Sequence, residues 1–236
     1  MKAYITGIGW LTATGLGRGD DPFTAPYLEV PVPSGSELFQ SPDSRFGRMD
    51  RFSKTGVGAI AMALRDAGIA GNSKVLEAGL TASTRFGCIE TDMEFFKTVL
   101  SEEGNWPSPH LFAYTLPSCF LGEAALRFGL TGPSYIVHSN NSFSLAGVEA
   151  AFREMEDSGI QLMVAGACDP ALPPELEHQF EDYCRCFAGV AFVVLNSAPG
   201  PGTKRYAVIE EKSGEILVNN ERVESLEKLI VRAKKL

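Results

Sequence analysis

Basic residues, histidine and long apolar runs are all scarce in this sequence of 236 residues. Lysine and arginine number 21 against 29 aspartates and glutamates, which gives a net charge of −8. That balance argues against nucleic-acid binding, because no basic field exists to release phosphate counterions. No apolar run approaches the roughly 20 residues that span a bilayer, and residues 1–7 have the pattern of a first strand rather than of a secretory signal. We therefore expect a cytoplasmic protein with no nucleic-acid partner and no membrane span.

Cysteine is also sparse, with five residues in the chain. Three of them, Cys88, Cys119 and Cys168, are far apart in sequence. An odd number of cysteines, mostly within apolar segments, indicates reduced core thiols. Cys184 and Cys186 are close enough to suggest a metal pair, but side chains at i and i+2 of a strand point to opposite faces. The sequence therefore predicts no metal site and no cofactor.

The remaining composition, 44% hydrophobic and 21% charged, is that of an ordinary globular domain. One domain is the natural expectation at this length. Apolar runs of strand length alternate with segments of helical period, which predicts an α/β domain with a mainly parallel sheet. The predicted strands are 4–8, 78–84, 134–140, 161–167, 187–195 and 205–212. The predicted helices are 51–67, 92–100, 118–128, 144–157, 174–183 and 221–235.

Two of these helices carry clear boundary or face signals. Asp50 is placed to cap the helix over 51–67, and Gly68 is placed to end it. The many small side chains of that helix predict close packing against a neighbour. The helix over 221–235 is amphipathic, with a possible Glu224–Lys228 ion pair on its surface. Its predicted apolar face consists of Val223, Leu226, Ile230 and Ala233.

Residues 132–147 are the most informative stretch of the chain. An apolar strand runs directly into a small-residue helix, with an elbow at Asn140 and Asn141. Such an elbow holds one strained, exposed side chain at the amino end of a helix, where the helix dipole and free amide hydrogens stabilise an anionic nucleophile. An amide is uncharged and no side-chain base can make it nucleophilic. The elbow therefore predicts the architecture of a covalent catalyst without its nucleophile.

Several short segments together resemble the N-terminal half of β-ketoacyl-acyl-carrier-protein synthases, members of the thiolase superfamily. In chain order they are AYITGIG (3–9), RMDRFSK (48–54), LRDAG (64–68), TLPS (115–118), FGLTGPS (128–134), VAGACD (164–169) and AGVAFVVL (188–195). The resemblance implies one thiolase-type half, a five-stranded mixed and mostly parallel sheet with helices on both faces. It also implies one domain over 1–236, in which 1–212 form the synthase-like region and 213–236 a C-terminal amphipathic helix.

Two departures from the family decide the functional interpretation. The position of the family's catalytic cysteine is Asn141 in this chain. The family's catalytic histidines and supporting lysine lie in a second half that residues 1–236 do not include, and His110, His138 and His178 match none of them. A serine triad of His138 with Ser139 or Ser142 is the weaker alternative. We therefore expect no catalytic residue, and Asn141 is also expected to cap a helix that begins near Ser142.

The resemblance leaves three functions open. In this family, chain-length factors carry glutamine at the elbow and act as non-condensing partners of an active synthase. The leading hypothesis is therefore a non-condensing subunit of a fatty-acid or polyketide-type pathway that binds a partner synthase, a carrier protein or an acyl chain. The second is a synthase or acyl-thioester enzyme whose active site is completed by another chain. The third is an acyl-binding or small-ligand-binding protein.

Two sets of residues are candidates for binding. Around the elbow and the matching acyl-channel region, the candidate pocket consists of Asn140, Asn141, Ser142, Phe143, Leu111, Phe112 and Phe120. Core packing is the alternative for the aromatic and leucine members, and for Tyr114. A basic cluster that would dock an acidic carrier protein consists of Arg45, Arg48, Arg51 and Lys54. The alternative is a solvated face whose charges pair with nearby aspartates.

The strand over 134–140 resembles the one that synthases pair across their dimer axis. We therefore expect a homodimer, or a heterodimer with an active synthase, in which Tyr135 and Val137 lie near the axis.

Overall fold

The computed structural model describes residues 1–41, 43–69, 75–101, 104, 106–172, 174–177 and 188–235. The strands are β1 (Lys2–Thr12), β2 (Gly15–Arg18), β3 (Gly79–Thr84), β4 (Ser134–His138), β5 (Leu162–Asp169), β6 (Gly189–Asn196), β7 (Ala207–Lys212), β8 (Glu215–Val218) and β9 (Glu221–Val223). The helices are α1 (Gly35–Leu38), α2 (Ser44–Arg48), α3 (Arg51–Asp66), α4 (Ile89–Ser101), α5 (Pro109–Phe112), α6 (Cys119–Phe128), α7 (Ala146–Ser158), α8 (Pro174–Glu177) and α9 (Leu226–Ala233).

The strands form one mixed sheet in the order β4-β3-β5-β6-β1-β7-β8-β9, with β2 paired to β1. β3 pairs in parallel with β4 and β5, whereas β6 is antiparallel to both β5 and β1. β1 therefore runs in the same direction as β3, β4 and β5. These five strands confirm the predicted mixed, mostly parallel sheet, but the prediction of five strands was too small. The described residues form nine, because β2, β7, β8 and β9 extend the sheet through antiparallel pairs.

Helices cover both faces of the sheet, as predicted. α3 and α6 pack into one hydrophobic core, and α7 and α9 into the other. β5 shows how one strand serves both cores, because its successive side chains alternate between faces. Met163, Ala165 and Ala167 belong to the core with α7 and α9, whereas Val164 and Cys168 belong to the core with α3 and α6.

α3 lies unusually close to the sheet, which confirms the expectation from its small side chains. A Cβ atom on Gly9 of β1 would overlap the backbone of Ala63 in α3, so only glycine fits at this crossing. Asp50 caps the helix as predicted, and its side chain accepts the N–H of Ser53 at 2.9 Å. The helix ends before Gly68, because the φ of +71° at this glycine is incompatible with a right-handed helix.

The C-terminal segment differs from the prediction, because the helix predicted over 221–235 begins only at Leu226. The strand predicted over 205–212 is confirmed as β7, and the residues between it and α9 form β8 and β9, joined by tight turns. The turns use residues with positive φ, namely Ser213 and Gly214, then Asn219 and Asn220. An Asn-Asn pair between alternating apolar residues is a hairpin signal that the helical interpretation passed over. The apolar face itself was predicted correctly, since Val223 and the named residues of α9 are buried.

Some sequence predictions lie outside the described residues. They concern Cys184, Cys186, His178, the second part of the helix predicted over 174–183, and the first residue of the strand predicted over 187–195. In the described part of the chain, no helix is long and apolar enough to cross a membrane. The same part contains no cluster of three or more potential metal ligands.

Candidate functional site

The elbow (residues 139–145) connects the end of β4 to the start of α7. Asn140 and Asn141 are exposed, and Ser142 is half-buried. The expectation that Asn141 caps a helix was wrong, because α7 begins at Ala146 and its N-cap residue is Leu145, with no side-chain cap. The backbone N–H of Asn141 instead donates to the Ser139 hydroxyl at 3.3 Å. An exposed amide five residues from the helix start receives little of the helix dipole.

Phe143, rather than an asparagine, is the strained residue of the elbow. Its φ is +52°, in the left-handed region that bulky side chains rarely adopt, and its side chain is fully buried. Its N–H donates to Oδ2 of Asp169 at 2.8 Å, and its carbonyl oxygen accepts the N–H of Leu226 at 2.8 Å. The elbow is therefore fixed from the end of β5 on one side and from the start of α9 on the other.

Asp169 is the polar centre behind the elbow, and the sequence analysis did not name it as a site residue. Only 5% of it is exposed. Besides Phe143, it accepts the N–H of Arg85 at 2.7 Å and the Thr84 hydroxyl at 3.5 Å. Burial raises the pKa of Asp169 to about 6, against the opposing effect of the two N–H bonds. The available signal in the sequence was a carboxylate at the end of a buried apolar strand.

The ionisation of Asp169 is expected to lower the free energy of unfolding as pH rises from about 4 to 6. Its pKa is 3.8 ordinarily and about 6 in the folded protein, so the folded state keeps a proton that the unfolded chain has lost. The stabilisation that comes from this proton on Asp169 is fully present below pH 4 and is lost as pH rises through 6. It amounts to roughly 3 kcal/mol of the free energy of unfolding. Urea denaturation of the wild type and Asp169→Asn across this range measures it. All other titratable groups are shared, so parallel curves for the two proteins would contradict the prediction.

The described histidines form no catalytic pair with the elbow serines. His138 is exposed at the end of β4, and the Ser139 hydroxyl bonds to the Asn141 N–H rather than to an imidazole. His110 lies on α5, edge-on to Tyr114 with ring centroids 5.9 Å apart. The structure therefore gives no support to the serine triad. Among the thiols, Cys88 and Cys168 are free and buried, as the sequence predicted for core cysteines.

The structure separates the aromatic candidates for an acyl channel. Phe120 is fully buried and packs edge-on against Phe52 with ring centroids 5.5 Å apart, so it is a core residue. Phe112 is 63% exposed and contacts Phe95 at 5.4 Å between ring centroids, and Leu111 is half-buried. A cavity lined in part by Thr84, Cys168 and Asp169 has a volume of only about 20 Å³. That volume holds about one water molecule.

The predicted basic cluster is only partly available for docking. Arg45 pairs with Glu123 at 3.0 Å, and Arg51 pairs with Glu29 at 3.2 Å. These ion pairs favour the solvated, internally paired face for half of the cluster. The other two members, Arg48 (exposed) and Lys54 (half-buried), form no ion pair within the described part of the chain.

Comparison with known proteins shows that the sequence is similar to that of ketosynthases. Residues 31–183 match the family profile described as the N-terminal domain of β-ketoacyl synthase. An oxytetracycline polyketide β-ketoacyl synthase of Streptomyces rimosus is 31% identical over 120 residues, which cover 48% of this chain and 28% of that protein. An actinorhodin polyketide β-ketoacyl synthase of Streptomyces coelicolor is 32% identical over 91 residues, covering 36% and 20%. The matched part is thus under a third of these relatives.

Solved structures show the same fold at lower identity. The ishigamide ketosynthase/chain length factor superposes with a TM-score of 0.71 at 16% identity, covering 88% of this chain and 62% of that one. A ketosynthase in complex with its chain length factor from Xenorhabdus doucetiae gives a TM-score of 0.57 at 12% identity, covering 85% and 81%.

Proposed function

The chain belongs to the β-ketoacyl synthase family, and on that premise we propose that it is a non-condensing subunit of the chain-length-factor type. It would act beside an active synthase in a fatty-acid or polyketide-type pathway. The observation that carries the proposal is the amide of Asn141 at the elbow position where the family resemblance expects a cysteine thiol. An amide forms no thioester with an acyl chain, so the elbow keeps its position in the fold and loses the covalent step.

The relatives support a partnered role. Two of the similar structures are described as a ketosynthase with its chain length factor, and a third as a ketosynthase in complex with its acyl-carrier protein. In this chain, β4 stands at the open edge of the sheet, paired only with β3 among the described strands. Tyr135 and Val137 on that strand are half-buried. An unpaired edge with partly apolar side chains is a ready template for a second chain.

The proposal predicts that the chain does not exist as a bare monomer. Light scattering at micromolar concentration is expected to report about twice the chain mass of 25.4 kDa, or a one-to-one complex when an active partner synthase is added. Val137→Glu on β4 is expected to weaken association at least about tenfold, because it places an unpaired charge at the interface. A stable monomer that binds no synthase and no carrier protein would refute the subunit role and favour ligand binding.

The matched control for that variant is Val231→Glu on α9. Val231 is 37% exposed on α9, the helix that packs against β8 and β9, and these strands end the sheet order opposite to β4. The same substitution there is expected to leave association unchanged. Equal losses in both variants would indicate a general effect of the added charge rather than an interface at β4.

Docking of an acidic carrier protein on the basic cluster is the finer part of the proposal. Arg48 and Lys54 support it best, since they alone in the cluster have no ion-pair partner in the described residues. Rim charges act mainly on association rate and on salt dependence. Their replacement by glutamine would therefore slow carrier association without changing subunit assembly.

A further inference from the structure

We propose that Asp169 is the positioning residue of the elbow, and that the left-handed conformation of Phe143 persists because Asp169 accepts its N–H. This goes beyond the proposed function and needs no partner or substrate to be tested. Phe143 is the residue through which the elbow is tied to the rest of the molecule, by its N–H to Asp169 and by its carbonyl to Leu226.

The conformation of Phe143 needs an external constraint. A φ of +52° brings the Cβ of a residue with a side chain close to its own backbone, and this is unfavourable unless the surroundings enforce it. Burial of the ring in the core with α7 and α9 supplies one constraint. The carboxylate supplies another, because a charge-assisted hydrogen bond in a buried site is both strong and directional.

Asp169 is itself held rigidly enough to act as such a constraint. It ends β5, a central strand paired on both sides by β3 and β6. Its second oxygen accepts the Arg85 N–H at 2.7 Å and the hydroxyl of Thr84, and the Thr84 hydroxyl in turn accepts the Gly87 N–H at 3.0 Å. The carboxylate is therefore fixed by the segment that follows β3 before it contacts the elbow.

The constraint extends to the C-terminal helix. The carbonyl of Phe143 accepts the N–H of Leu226, the first residue of α9, whose side chain is fully buried in the same core. A shift of Phe143 would break this bond and leave the amide of Leu226 without its acceptor. The order of the elbow and the order of the first turn of α9 are therefore coupled through one residue.

The test is amide hydrogen exchange, measured by NMR, on Asp169→Ala and the matched control Asp43→Ala. Asp43 also accepts two backbone N–H groups, from Arg45 and Phe46, but it caps α2. In Asp169→Ala, the amides of Phe143 and Leu226 are expected to exchange about tenfold faster relative to Ile60 of α3, as loss of a charge-assisted bond implies. In Asp43→Ala, their exchange relative to Ile60 is expected to stay unchanged.

Two results would overturn the proposal. An equal rise at Phe143, Leu226 and Ile60 would show that Asp169 stabilises the whole fold without positioning the elbow, and unchanged exchange at Phe143 would show that other contacts suffice. Should Asp169→Ala not fold, the wild type still decides. A scalar coupling across the hydrogen bond is expected between the Phe143 amide nitrogen and the Asp169 carboxyl carbon, and its absence would be equally contrary.

Discussion

The 236-residue polypeptide, incubated alone with acyl and malonyl thioesters, is expected to form no acyl-enzyme and to release no 3-ketoacyl product. The elbow presents the amides of Asn140 and Asn141, and the nearest described histidine forms no hydrogen bond to an elbow serine. Loss of a nucleophile and its base costs several powers of ten in rate, and such groups act as a unit. Intact-mass spectrometry after incubation measures the adduct. An acyl adduct that a point change at the elbow abolishes would refute the prediction.

Asn141→Cys is the control that separates the missing thiol from the rest of the chemistry. A thiol at the amino end of a helix would have a lowered pKa. Since α7 begins at Ala146 and position 141 is exposed, we expect the thiol pKa of the variant to be near the ordinary value of about 8.5. Iodoacetamide labelling against pH measures that pKa. The variant is also expected to release no carbon dioxide from malonyl thioester, and clear release would reveal an unrecognised base.

The sequence predicted well those parts of the fold that are determined by signals within one short segment. The helix over 51–67 was predicted because its N-cap residue Asp50, its small side chains and the terminating Gly68 all lie within one segment. The strands of the parallel part were readable as short apolar runs between helical segments. β7 was predicted as the strand over 205–212, but β8 and β9 were missed. Asn219 and Asn220 signal a turn only by their φ preference, while the residues around them also fit a helical period.

The candidate site was predictable in place and not in detail. Strand-to-helix patterning located the elbow, but the strain falls on Phe143 and not on Asn141. The cause is Asp169, which lies 26 residues from Phe143 in the chain and meets it only because β5 ends beside the elbow. A contact of that kind leaves no periodic trace in the sequence. The high capping propensity of asparagine favoured Asn141 as the N-cap, but in the folded chain α7 begins at Ala146, too far from Asn141 for its side chain to cap the helix.

Phe120→Ala is expected to lower the free energy of unfolding by about 3–5 kcal/mol, the usual cost of emptying a buried phenylalanine site. Phe120 is fully buried in α6, packs against Phe52, and lies 6.2 Å from Phe192 between ring centroids. A Cβ on Gly56 would overlap the Phe120 ring, so α3 lacks a side chain where the ring sits. The site is therefore shaped around this ring and cannot collapse readily. Denaturant titration followed by circular dichroism measures the loss.

Phe112→Ala is the matched control, since it removes the same side chain from a residue that is 63% exposed. A surface substitution of this kind is expected to change the free energy of unfolding by no more than about 0.5 kcal/mol. The contrast decides between the two interpretations of the aromatic set, because a wall of an open acyl channel would leave Phe120 little packing to lose. A loss of less than about 1 kcal/mol in the free energy of unfolding of Phe120→Ala, together with altered binding of acyl chains, would support the interpretation of Phe120 as a channel residue. A large cost in that variant alone leaves Phe112, beside Phe95, as the member of the set positioned to contact a partner or ligand.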